Sequence, residues 1–263
     1  MNIQVSNTQL NVEDRGSGSV LLLIHGFPLN LEMWRPQIED LSNHYRIIAV
    51  DLRGHGHSPP TPGPYSMDLL ADDCAAVLDT LGVDGPVVVC GLSMGGYVSF
   101  ALYRRHPQLI SALILVATRP GSDSDLAKAN REKAIAETKQ HGPQPVLDKM
   151  LKILLAPDTY KSKPELVKNL ADIIALTSTK GILSALAGMK DRPDSTILLG
   201  QINIPALVIH GAHDQIIALN ESESMASGVK NSRLEIIPDA GHLPNLEQPE
   251  NFNSIVSDFL ASI

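Results

Sequence analysis

The chain is poor in the features that would tie it to several common kinds of partner. Acidic residues outnumber basic ones, 29 against 21, for a net charge of −8. Clustered lysine and arginine, which phosphate binding needs, are missing, so neither nucleic acid nor an anionic membrane surface is an expected partner. The two cysteines, Cys74 and Cys90, cannot form a disulfide framework and read as small core residues. Apolar runs such as 20–24 and 87–90 are strand-sized and fall far short of a membrane span. The opening residues, Met1-Asn2-Ile3-Gln4-Val5-Ser6, carry neither a basic leader nor an apolar signal core, which makes a cytoplasmic location the default expectation. No glycine pattern suits a phosphate or dinucleotide loop, and no histidine or cysteine spacing suits a metal, so neither cofactor nor metal is expected. Internal repeats and low-complexity segments are absent.

What is present is the ordinary composition of a globular protein, 43% hydrophobic and 19% charged over 263 residues. That length accommodates one large α/β domain with an insertion. Weak alternation at Ile3, Val5, Leu10 and Val12 suggests an edge hairpin. Buried-strand patterns follow at 20–24, 46–50, 87–90 and 112–116, with helical patterns between them. The clearest helix starts at Ser66 as N-cap, carries Leu70, Cys74, Val77, Leu78 and Leu81 on one face, and ends at Gly82. Such alternation implies a mostly parallel sheet covered on both faces. The alternation breaks from Arg119 to Thr196, where the chain becomes helical and more charged, with helices expected at 127–139, capped by Ser122 or Ser124, and at 146–155, 165–176 and 181–189. Strands resume at 205–210 and 233–237, and a last helix starts at Pro249. The expected organisation is a core of residues 1–118 and 197–263, with residues 119–196 as a helical cap over the carboxyl ends of the strands, where open α/β sheets bind ligands.

The chemistry centres on Val87-Val88-Val89-Cys90-Gly91-Leu92-Ser93-Met94-Gly95-Gly96-Tyr97. An apolar β-branched run stops at Gly-x-Ser-x-Gly and continues into a helical pattern, the signature of a sharp strand-to-helix turn that lifts a serine hydroxyl above the sheet. Gly91 and Gly95 leave room where a Cβ would collide, and the helix after Ser93 aims its N–H groups at the site. A serine hydroxyl is a poor nucleophile until a histidine, itself oriented by a carboxylate, takes its proton.

Of nine histidines, His25, His55, His57, His210, His213 and His242 fall in or beside loops at strand carboxyl ends. With the partners following in the order serine, acid, histidine, the base is His242. The acid favoured by position is Asp214, just past the strand ending at His210. Asp123 and Asp125 compete from one strand earlier, and Asp239 is better suited to capping its own turn. The oxyanion hole is expected from the backbone N–H groups of Met94 and Phe27, because Pro28 has none to offer. His25 and Gly26 read as structural, and the histidines in Asp51–Ser58 as parts of a hydrogen-bonded loop. Phe27, Trp34, Leu92 and Met94 are the expected apolar substrate contacts. A substrate with a carboxylate would need a cation in the pocket, for which Arg119, Arg131 and Lys149 are the candidates.

Five motifs in order, His25-Gly26-Phe27-Pro28, Asp51-Leu52-Arg53-Gly54-His55-Gly56-His57-Ser58, Gly91-Leu92-Ser93-Met94-Gly95-Gly96, Gly211-Ala212-His213-Asp214 and Ala240-Gly241-His242, resemble the successive signatures of the α/β-hydrolase fold superfamily. The resemblance covers nearly all of the chain outside Arg119–Thr196. It implies the triad Ser93, Asp214 and His242, with Phe27 and Met94 as oxyanion donors. Serine at the elbow is unlike haloalkane dehalogenases and epoxide hydrolases, which use aspartate there. The motifs are similar to those of small bacterial carboxylesterases, 3-oxoadipate enol-lactonases and cofactor-free haloperoxidases, which are perhydrolases. The implied activity is hydrolysis of a small-molecule ester or lactone without a cofactor.

Overall fold

The computed structural model describes residues 1–263, folded around one eight-stranded sheet. Strands β1 (Asn2–Val5) and β2 (Thr8–Arg15) form the expected edge hairpin, with Ile3 opposite Leu10. β2 continues antiparallel against β4 (Arg46–Val50), Val12 facing Val50. All further neighbours are parallel: β3 (Val20–Ile24), β5 (Val87–Leu92), β6 (Ile110–Val116), β7 (Ala206–Gly211) and β8 (Ser232–Ile237). The order β1-β2-β4-β3-β5-β6-β7-β8 reverses direction at β3. The chain moves outward from β3 to β4 and then returns to β5 on the other side, so the loops after β3 and β5 leave a crevice between them. The register Ile24 opposite Gly91 sets the Phe27 loop beside Ser93.

Burial explains the strand composition. Every residue of β5 and β7 is buried, as strands covered on both faces require. Helices α1 (Arg35–Leu41) and α12 (Pro249–Ala261) pack together, as do α2 (Met67–Thr80) and α3 (Met94–Arg105). Ser66 caps α2 by accepting the Leu69 N–H at 3.1 Å, and Leu70, Cys74, Val77 and Leu78 form its buried face. Cys74 and Cys90 are buried free thiols. No single helix is long and apolar enough to cross a membrane.

Between β6 and β7 lie α4 (Asp125–His141), α5 (Gln144–Leu151), α6 (Thr159–Ser162), α7 (Pro164–Ala175), α8 (Thr179–Lys190) and α9 (Thr196–Leu199). Ser124 caps α4 by accepting the Ala127 N–H at 3.3 Å. The segment is bonded to the loops at the carboxyl ends of the strands. Asn30 Nδ2 donates to the Ile173 carbonyl at 2.8 Å, Thr177 Oγ1 to the Pro28 carbonyl at 2.7 Å, and Ser178 N–H to the Gly54 carbonyl at 3.2 Å. On the far side, the His242 N–H donates to the Leu154 carbonyl at 3.1 Å.

Several elements differ from the sequence expectation, among them the short helices α6 and α9. The helix expected over 146–155 is regular only to Leu151; the Ile153 and Leu154 N–H groups still bond the Met150 carbonyl, after which Leu155 N–H donates to Tyr160 Oη at 3.0 Å and Ala156 N–H to Glu247 Oε2 at 2.8 Å. Helix α10 (Leu219–Gly228), which carries the chain from β7 to β8, was not expected. Its only buried residues are Ser222 and Met225, so it has no apolar stripe to read. A four-residue helix, α11 (Pro244–Glu247), joins the last strand's loop to α12.

A close backbone approach lies under Ser93. A Cβ built on Gly95 would run into the Ile24 carbonyl oxygen, and one on Gly91 would run into the Gly95 carbonyl oxygen and Ser99 Oγ. Backbone cannot yield as a flexible side chain can, so Gly95→Ala is expected to cost about 3 kcal/mol by overpacking. Gly85, with open space around its missing Cβ, is the control, and Gly85→Ala is expected to lie within about 0.5 kcal/mol of the parent. Urea unfolding midpoints of the two variants check the contrast; equal midpoints would contradict it.

Candidate active site

Ser93 sits between β5 and α3 with φ 55° and ψ −110°, a left-handed conformation that costs a non-glycine residue about 1–3 kcal/mol. The turn is held from both sides. Ser93 N–H donates to the Val116 carbonyl at 2.9 Å, and Thr118 Oγ1 donates to the Ser93 carbonyl at 2.8 Å. Although Ser93 occupies the N-cap position of α3, its half-buried side chain makes no capping bond. The hydroxyl therefore stays available at the surface of a cavity of about 450 Å³, a volume suited to a small organic ligand.

His242 lines the same cavity. Its Nδ1 donates to Asp214 Oδ2 at 2.8 Å, which leaves Nε2 as the second nitrogen of the ring. Asp214 Oδ1 accepts the Ile216 and Ile217 N–H groups at 2.7 and 3.0 Å, and its side chain is fully buried. Burial works to raise the Asp214 pKa, but the charge and hydrogen bond of His242 together with the two backbone donors outweigh it, and the carboxyl lies below its ordinary range. The loop before His242 is fixed by the buried Glu247: Oε1 accepts the Gly241 N–H at 2.7 Å, while Oε2 accepts Ala156 N–H and, at 2.6 Å, Thr159 Oγ1. Glu247 thus joins the histidine loop to the segment between α5 and α6. Burial pushes its own pKa up.

Phe27 forms another part of the cavity wall. Neither its N–H nor that of Met94, the first residue of α3, is engaged by a protein acceptor. Beneath Phe27 two histidines are packed with ring centroids 5.0 Å apart. His25 Nε2 accepts the Leu52 N–H at 3.0 Å, so its Nδ1 carries the proton donated to the Gly26 carbonyl at 2.8 Å. His55 Nδ1 donates to the Arg53 carbonyl at 2.9 Å. Burial lowers the His25 pKa to about 4; burial and the neighbouring His25 lower that of His55 to about 3. Both rings are neutral supports. Asp51 holds the adjoining loop, accepting Leu31 N–H at 2.7 Å, Asn11 Nδ2 at 2.8 Å and His57 N–H at 2.9 Å.

The remaining sequence candidates separate clearly. Asp123 is buried, but it faces Arg119 at 2.9 Å, Arg192 at 2.6 Å and Arg131 rather than His242. Burial acts to raise its pKa; the bonds and charges of Arg131 and Arg192 more than offset this and hold it below the ordinary range. Asp125 is exposed in the first turn of α4, and Asp239 is exposed at φ 54°. Of the four expected apolar contacts only Phe27 reaches the cavity. Trp34 is fully buried, 6.1 Å from the Phe252 ring, because α12 covers it. The Leu92 and Met94 side chains are buried beneath the turn, since residues flanking Ser93 alternate into the core. The wall instead uses Tyr97, Leu186, Met189 and Ile216, which sequence reasoning missed. Tyr97, four residues after Ser93 on the same helix face, carried the one available signal.

A doubly covered sheet with a strained serine turn at its switch point defines a class of hydrolase folds. The chain belongs to the α/β-hydrolase family, whose fold model matches residues 19–249. It is similar to the 3-oxoadipate enol-lactonase 2 of Acinetobacter baylyi, 32% identical over 90% of this chain and 86% of that one. Among solved structures it is similar to a thermophilic esterase from Thermogutta terrifontis with malate bound, 38% identical over 100% and 98% of the two chains at a TM-score of 0.96. It also resembles the enol-lactonase from Burkholderia xenovorans LB400, 29% identical over 99% and 100% at a TM-score of 0.92.

The His25–His55 pair predicts acid sensitivity. Both folded-state pKa values lie below the ordinary 6.5, so the stabilisation is complete above pH 6.5 and drains as pH falls toward 4 and 3. At about pH 5 each ring is expected to have lost roughly 2 kcal/mol. Urea unfolding between pH 7 and 5 is expected to show a fall of about 4 kcal/mol from this pair, with proton uptake on unfolding. A flat profile would mean that the two rings titrate normally.

Proposed function

We propose that the chain is a serine carboxylic-ester hydrolase acting through an acyl-enzyme on Ser93. The carrying observation is an imidazole whose Nδ1 is committed to Asp214, sharing a cavity with a serine hydroxyl that caps nothing. In this reading His242 Nε2 takes the Ser93 proton as Oγ attacks the ester carbonyl. The Phe27 and Met94 N–H groups receive the oxyanion, each contributing about 3 kcal/mol to the transition state. The tetrahedral intermediate collapses, the carbon–oxygen bond to the alcohol breaks, and the alcohol leaves with the proton from His242. Water then adds to the acyl-enzyme by the same route and releases the acid.

Residues 119–196 serve as a helical cap on a core of residues 1–118 and 197–263. The hydrogen bonds between this segment and the Pro28, Gly54 and His242 loops support that reading. With Phe27, Tyr97, Leu186 and Met189 on the walls, a small to medium acyl group is the expected fit. Lactone hydrolysis by the same steps is the second reading, favoured by the two enol-lactonases to which the chain is similar.

The test is turnover of p-nitrophenyl esters of increasing acyl length by the parent, Ser93→Ala, His242→Ala and Asp214→Asn. Rates are expected to fall by about 10⁴-fold or more in the first two variants and by about 10⁴-fold in the third. Turnover retained in Ser93→Ala would sink the acyl-enzyme. A parent that hydrolyses no acyclic ester but reacts with a fluorophosphonate at Ser93 would select the lactone reading.

A further inference from the structure

The chain carries a net charge of −8, yet the cavity holding Ser93 and His242 is cationic. Four basic side chains line it, Arg119, Arg131, Lys133 and Lys149, against the acidic Asp123 and Glu137. Lys133 and Glu137 pair with each other at 3.9 Å along α4. Among the lining residues that leaves Arg119, Arg131 and Lys149 opposite one carboxylate, with Glu221 acting on Arg119 from outside the lining, and Asp123 is already neutralised from behind by the buried Arg192. Arg192 is committed on the side away from the cavity: its Nη1 binds Asp123 and the Met189 carbonyl, its Nη2 binds the Gly121 carbonyl, and its guanidinium stacks 4.0 Å from the Tyr97 ring centroid, with only its buried Nε unpartnered.

The two guanidiniums on the cavity side are not used up. Arg119 spends only Nη2, on Asp123 Oδ1 at 2.9 Å; its Nη1 is free and its Nε is buried without a partner. Arg131 spends Nε on Asp123 and Nη1 on Met189 Sδ at 3.5 Å, leaving Nη2 free. Lys149 makes no ion pair. Asp123 therefore holds two forks in place without satisfying them, which lowers the ordering cost of binding another planar anion. Excess positive charge in a partly enclosed cavity also draws anions toward it.

We propose that this face of the cavity is a carboxylate subsite, and that the substrate is an ester or lactone carrying a free carboxylate, such as the monoester of an aliphatic dicarboxylic acid. The inference rests on the hydrolase reading of Ser93 for its chemistry, but not for its binding. Leu186, Met189, Val146 and Ile153 line the same cavity and suit an aliphatic spacer between the reacting carbonyl and the carboxylate.

The experiment uses monomethyl adipate and dimethyl adipate, which differ in one charge. Binding of both to Ser93→Ala is measured by calorimetry, and their hydrolysis by the parent is followed in a pH-stat. The monoanion is expected to bind roughly tenfold more tightly, as charge-assisted hydrogen bonds allow, and to lose most of that advantage in high salt. In Arg119→Gln on the Ser93→Ala background the preference is expected to fall by roughly tenfold, with partial recovery in Arg119→Lys. Lys149→Gln, which removes a cation that pairs with nothing, is expected to lower it by a smaller factor and keeps the test valid where an Arg119 variant unfolds. Equal binding of the two esters, no millimolar binding of either, or a preference unchanged in both Arg119→Gln and Lys149→Gln overturns the subsite. Failure of the hydrolase reading looks different: Ser93 of the parent resists a fluorophosphonate while Ser93→Ala still prefers the monoanion.

Discussion

Everything at the site depends on the contact between α3 and the central strands at Gly91 and Gly95. There the helix backbone comes against the Ile24 carbonyl with no side chain between them. This proximity is what allows Ser93 to be held at φ 55°, since a strained residue persists only where its surroundings over-determine it. Bonds from Val116 and Thr118, on the other side of the turn, supply the rest of that constraint. With the serine N–H committed to Val116 of β6 and its carbonyl to Thr118 and the first turn of α3, the hydroxyl and the first N–H of α3 are left without protein partners. Strain, close packing and an available hydroxyl are one structural fact.

Two buried carboxylates divide the electrostatic work around the cavity. Asp214 is surrounded by two backbone donors and one histidine, an arrangement that fixes a ring orientation while leaving that ring's far nitrogen uncommitted. Asp123 is surrounded by three guanidiniums, an arrangement that leaves net positive charge on the wall. Both pKa values are held down against burial, but by different partners, and the consequences for a ligand are opposite: one carboxylate orients a ring, the other organises cations. The neutral His25 and His55 beneath Phe27 keep a third region of the wall free of charge.

The segment between β6 and β7 is bonded to the loops it covers rather than merely resting on them. Glu247 is the clearest link, since one buried carboxylate serves Gly241 beside His242 and Ala156 and Thr159 in the segment. A displacement of the segment near Ala156 is thereby felt at the histidine loop. The helix legible to Leu155 in apolar spacing stops at Leu151, and the Leu155 N–H turns to Tyr160 Oη instead.

Features under local geometric control were legible in the amino-acid order alone. Apolar runs specified buried parallel strands, Ser66 specified one helix start and Ser122 or Ser124 another, which the structure places at Ser124, and glycines two residues either side of Ser93 specified a turn that tolerates no Cβ there. These rules act within a few residues, so one chain is enough to read them. Helix α10 escaped because so little of it is buried that no periodicity marks it. Tertiary packing set Asp214 against His242 and Asp123 against arginines, although both follow strand ends and differ only in what lies across the site. It alone moved Trp34 under α12 and brought Arg119, Arg131 and Arg192, spread over 74 positions, onto one carboxylate. Charge pairing and burial act through space, and spacing along the chain does not carry that information.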